Sequence, residues 1–117
     1  MLPPVESLLM ASAPLQALIS GRSYRHGFAP QDVLRPYVTW SVPGGFAENA
    51  LERVDADVFR LQVDCWADSD QSIENVASAT RAAIEKAANL TAYIADERNP
   101  DTGRYRIGMV FDFIQPR

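Results

Sequence analysis

The chain has 117 residues, with eleven Lys and Arg against fifteen Asp and Glu, for a net charge of −4. That length suits a single domain over residues 1–117, able to bury roughly two-thirds of its unfolded surface without staples. One cysteine excludes an internal disulfide, one histidine excludes a histidine-based zinc site, and scattered cations in an acidic chain argue against a protein that grips phosphates.

Val5, Leu8 and Leu9 share one helical face behind Pro3 and Pro4, whose missing N–H groups do no harm in a first turn. Pro14 interrupts that pattern. Leu15, Leu18 and Ile19 resume it as a short second helix or turn, with Gly21 placed for a left-handed C-terminal cap. Met10–Ala13, "MASA", has the small residues of an export cleavage site, but no cation precedes it, and Glu6, Pro3 and Pro4 break the apolar run. The expectation is therefore a protein that stays in the cytosol where it is made, with no membrane segment. From Arg22 to Pro36 no period is sustained, and Gly27, Pro30 and Pro36 predict an irregular connection.

"YVTWSV" alternates, which predicts a strand over Tyr37–Val42 with Val38, Trp40 and Val42 on one face. Pro43–Asp55 then reads as a hairpin connection longer than a tight turn requires. It carries Phe46 and Leu51, apolar residues with more to gain from a neighbouring chain than from an isolated subunit. The next strand is clearer. Phe59, Leu61, Val63, Cys65 and Ala67 occupy one face, and Arg60, Gln62, Asp64 and Trp66 the other. Ile73, Val76, Ala77, Thr80, Ala83, Ile84 and Ala87 follow helical spacing in an alanine-rich segment. Asp68 or Ser69 can cap its start, Asp70 and Glu74 suit the positive end of its dipole, Lys86 the negative end, and Asn89 can stop it.

A weaker strand is expected at Ala92–Ala95, a turn at "RNPDTG", and a strong final strand with Tyr105, Ile107, Met109, Phe111 and Phe113 on one face. The order helix, strand, strand, helix, strand, strand predicts an α+β domain: a small, mostly antiparallel four-stranded sheet with helices packed on one face.

None of the chemistry-bearing residues converges on a site. Cys65 precedes a helix start, which favours a thiolate, yet it sits in an apolar alternation between Asp64 and Asp68, where a cysteine acts as a small hydrophobe. "DSDQSIE" fails as a calcium loop, since its sixth position is Ile73 and its twelfth Ala79. Asp55 and Asp57 share a strand face with no histidine or basic cluster beside them. Gly44-Gly45 lacks the Lys-Ser/Thr of a P-loop, and His26 stands alone in a loop. No catalytic residue, metal site or cofactor is predicted, and the chain is expected not to be an enzyme.

Several segments in order resemble the tail-completion, or tail-terminator, proteins of long-tailed bacteriophages. They are "LLMASAPLQALISGRSY", "APQDVLRPYVTWSV", "VDADVFRLQVDCWADSDQSIENVASATRAAIEKA" and "DTGRYRIGMVFDFI". "QVDCWA" before an alanine-rich helix is the most specific of these elements, while "PGGFAENALERVD" departs from the family's usual loop. The resemblance implies a structural virion subunit at the head-proximal end of the tail, assembling into a ring, typically a hexamer. Such a ring caps the tail tube, ends its polymerisation and joins the head. It also implies partners: other copies of the chain, the tail tube protein and a head–tail connector or neck protein, with DNA only passing through the channel. Phe46, Leu51, Arg60, Gln62, Asp64 and Trp66 are the candidate contacts with neighbouring subunits, tube or channel. A neck or head–tail connector subunit, or a small dimeric α+β ligand-binding domain, is the alternative reading.

Overall fold

The computed structural model describes residues 3–48 and 56–116. Two short helices open the chain, α1 (Val5–Met10) and α2 (Ala13–Ile19). Ser12 separates them, its hydroxyl accepting a hydrogen bond from the Leu15 amide at 3.2 Å and capping α2. The left-handed exit expected at Gly21 (φ 79) begins one residue earlier, with Ser20 at φ 48. Val5, Leu9, Leu15 and Ile19 are fully buried, so the two turns act as one apolar lid.

Among the described residues five strands follow rather than four: β1 (Ser23–Arg25), β2 (Tyr37–Glu48), β3 (Ala56–Ala67), β4 (Asn89–Arg98) and β5 (Tyr105–Pro116). They lie in the order β1-β2-β3-β5-β4. The added strand, β1, comes from the segment expected to be irregular. It pairs parallel with Val38–Trp40 of β2, which makes the sheet mixed. Three residues are too few for an alternation to be visible, and only the neighbouring strand identifies them as a strand.

A second correction concerns the long connection expected over Pro43–Asp55. Gly44 pairs with Arg60, Phe46 with Val58 and Glu48 with Ala56, so residues up to Glu48 are strand. The register shifts between Ser41 and Gly44, and this bulge takes in Pro43, whose missing amide donor would interrupt a regular ladder. Proline and paired glycines signal a turn in the sequence, but here they mark a kink within a twelve-residue strand. Leu51 lies outside the described residues.

Helix α3 (Asp70–Ile84) stops before Ala87 and lies over β3 and β5. Of its two candidate caps Ser69 serves, accepting from the Ser72 amide at 3.2 Å, while Asp68 pairs with Arg35. Ile73, Val76, Ala77, Thr80, Ala83 and Ile84 face inward. They meet Val38 and Trp40 of β2, Leu61, Val63, Cys65 and Ala67 of β3, and Met109, Phe111 and Phe113 of β5. Each large side chain buried there contributes about 1.5–3 kcal/mol. β4 is longer than expected and exposed along most of its length, because it is an edge strand that α3 does not cover. Among the described residues no helix is long and apolar enough to cross a membrane.

Candidate interface surfaces

The alternation of β3 turns Arg60, Gln62, Asp64 and Trp66 away from the helices, and the sheet register decides what flanks them. Trp66 lies between Tyr37 and Arg106, Asp64 between Thr39 and Gly108, and Gln62 between Ser41 and Val110. The Arg106 Nε–H donates to Asp64 Oδ1 at 3.0 Å, and its Nη1 donates to Glu97 Oε1 at 3.2 Å. The same guanidinium lies 5.6 Å from the centroid of the Trp66 ring, whose Nε1–H donates to Thr39 Oγ1 at 3.3 Å. Tyr37 stacks on Trp66 at 5.9 Å with 13° between the planes. Gln62 Nε2 donates to Asp64 Oδ2 at 3.2 Å.

Asp64 is only 9% exposed, and its charge is met from two sides. The absence of a side chain at Gly108 leaves room for this arrangement. A Cβ there would stand 2.8 Å from Asp64 Oδ1 and 2.9 Å from Ile94 Cγ1. Burial raises the pKa of Tyr37, against a lowering by Arg104 and Arg35. Asp64 and Trp66 therefore hold the open face together internally. Arg60, with its side chain 58% exposed and 3.5 Å from Asp112 Oδ1, is the group of that row most available to a partner. The sequence names the β3 residues of this network but not Arg106, Glu97, Thr39 or Gly108, which come from strands whose register it does not show. Phe46 opposes Val58 at the far end of β2.

Cys65 is fully buried on the helix side of β3, and its thiol donates to Thr80 Oγ1 at 3.6 Å. Burial pushes its pKa up to about 12, with the Thr80 hydrogen bond lowering it and the Asp64 charge raising it. A thiol in that setting supplies no thiolate near neutral pH. His26 sits in an exposed left-handed turn at φ 67. Among the described residues no group of three His, Cys, Asp or Glu could hold a metal ion. Asp55 lies outside the described residues, and Asp57 pairs with Ala47 and Gln115 in the sheet.

Two surface features have no clear signal in the sequence. The connection between β1 and β2 crosses the open face near Tyr37, Thr39 and Trp66, and it projects Phe28 (79% exposed) and Leu34 (72%) into solvent. On the other side of the sheet, a groove of about 720 Å³ runs between α3 and the uncovered β4. Arg81 spans it, donating from Nη1 to the Tyr93 hydroxyl at 2.9 Å.

Comparison with known proteins gives these surfaces a context. One solved structure, the virion of a native gene transfer agent (GTA) particle, contains a chain that superposes with a TM-score of 0.65. The alignment is 18% identical and covers 97% of this chain and 92% of that one, a likeness of fold. No curated protein sequence matches. The family model described as tail completion protein gp17 matches residues 3–115. The chain thus belongs to the tail completion protein gp17 family and is a structural protein of phage-type virion tails.

Proposed function

We propose that this tail protein works as a closed ring, six-fold in the expected case, seated on the head-proximal end of the tail tube. There it ends polymerisation of the tube and presents the surface to which the head is joined. The observation that carries this reading is the tail-completion match over nearly the whole chain. The fold supports it: among the described residues the mixed sheet leaves β4 and much of β2 as unpaired edges, and heterologous contacts between subunits close into rings when the rotation permits. A net charge of −4 suits a channel through which DNA passes without being held. Arg60 and Gln62 are the contacts proposed on the open face, supported from beneath by Asp64 and Trp66. Phe46 and Leu51 are proposed as contacts with a neighbouring subunit or the tube.

Native mass spectrometry of the protein and electron microscopy of virions test the reading together. A closed oligomer, with matching density at the head-proximal tube end, is the expected result. Finding only monomers or dimers there refutes it, and a ring that binds the neck but never the tube shifts the assignment to a connector. A Phe46→Ser/Leu51→Ser variant that still terminates tails normally removes those two residues from the tube contact.

A further inference from the structure

An unpaired strand edge is a row of free N–H and C=O groups, to which any extended chain can add a further strand. Among the described residues this sheet has three such edges: the outer side of β1, that of β2 beyond Trp40, and that of β4. Each of them is interrupted. β1 is three residues long and ends on the exposed Arg25. The open part of β2 starts at the bulge between Ser41 and Gly44, which includes Pro43, a residue with no amide to donate.

β4 is open along its whole length and is interrupted twice. Its register against β5 shifts between Leu90 and Ala92 and again between Tyr93 and Ala95, so Thr91 and Ile94 have no opposite residue. Both extra residues are held by specific contacts. The Thr91 hydroxyl donates to the Val110 carbonyl at 3.1 Å. Ile94 lies over Gly108, where an added Cβ would stand 2.9 Å from its Cγ1. Asp96, Glu97 and Arg98 then place charges in succession along the rest of the strand. Bulges twist an edge and break the spacing of its ladder, and charged side chains resist a further strand laid beside them.

We infer that copies of this chain meet through side chains and not by backbone pairing between their sheets, and that the Thr91 and Ile94 bulges keep β4 from adding strands. The first part rests on the ring reading above; the second does not. β4 and the open part of β2 lie toward opposite sides of the sheet. Pairing one with the other would repeat from copy to copy, the head-to-tail geometry that runs on as a filament unless its rotation closes. With both edges interrupted, side-chain surfaces set the rotation between copies. Unpaired edges are thus open to a neighbour's side chains while their backbone is not.

Deleting Thr91 and Ile94 together removes both bulges, while every β4 residue that pairs with β5 keeps its partner. The deletion protein, its fold checked by circular dichroism, is expected to sediment as filaments or large aggregates where wild type does not. A folded deletion protein that assembles as wild type does overturns the role given to the bulges. Hydrogen exchange of wild type tests the first part whether or not the deletion protein folds. Strand addition slows every second amide along an edge, because alternate amides point outward. On assembly, β4 and residues 41–48 of β2 should show no such alternation. Alternating protection there overturns the side-chain contact and leaves the ring standing. Wild type that forms no closed oligomer, free or on tail ends, removes the ring reading and the first part with it, and the deletion protein still decides the second.

Discussion

Replacing Arg106 by methionine removes the cation from the open-face network while keeping a long side chain over Trp66. The Asp64 and Arg106 side chains are 12% and 28% exposed, so the pair is neither a free surface pair nor a fully buried one. Exposed pairs contribute about 0–1 kcal/mol, and breaking a buried pair costs about 3–5 kcal/mol through the charge left behind. Asp64 keeps the Gln62 donor at 3.2 Å in the variant, which holds the electrostatic loss to about 2 kcal/mol. Losing the cation over the Trp66 ring adds about 0.5–1 kcal/mol. The total, about 3 kcal/mol, corresponds to a fall in Tm of roughly 12 °C for a domain of this size. Asp64→Asn retains an acceptor for Arg106 and should cost about 1 kcal/mol. The double variant should then lose less than the sum of the singles, by about 1–2 kcal/mol. Urea unfolding of the four proteins measures the cycle. Arg106→Met losing under about 0.5 kcal/mol, or strict additivity, would show that the pair behaves as solvated surface charge and that the network does not hold the face together.

With its pKa near 12, Cys65 is about one part in ten thousand thiolate at pH 8, so native protein should label far more slowly than unfolded protein. Cys65→Ala should cost about 1 kcal/mol and leave assembly intact; rapid stoichiometric labelling of the native chain would contradict the burial. The raised thiol pKa stabilises fully below its ordinary value of about 9, and that contribution is lost as pH rises through 9 toward 12. Wild type should therefore lose about 1.4 kcal/mol per pH unit in that window relative to Cys65→Ala, and parallel alkaline limbs would refute the assignment. Gly108→Ala should destabilise by about 1–3 kcal/mol, since its Cβ meets Asp64 and Ile94 under 3.0 Å; a neutral result in thermal melts would mean that the network has room to shift. Ser69→Ala should remove the α3 cap at about 1 kcal/mol, read from the same melts.

The sequence by itself determined the elements whose neighbours along the chain set their environment. The β3 alternation from Phe59 to Ala67 and the helical spacing from Ile73 to Ile84 declare their buried faces through periodicity alone, and the structure places those residues in the core. The burial of Cys65 follows from the same pattern. Tertiary structure decided what depends on partners distant in sequence. β1 is a strand only because Val38–Trp40 lies beside it, and the stretch from Gly44 to Glu48 is a strand only because Ala56–Arg60 pairs with it across a bulge. Arg106 reaches Asp64 from 42 residues away through the β3–β5 register, and no local pattern carries that information. Phe28, Leu34 and the groove beside α3 show the same limit. An apolar side chain in a loop looks alike in sequence whether it is buried or exposed, and a groove is the space left where one helix covers two strands and not the third. Periodicity encodes which face of an element is buried, while pairing, register and uncovered surface arise only when the elements are packed together.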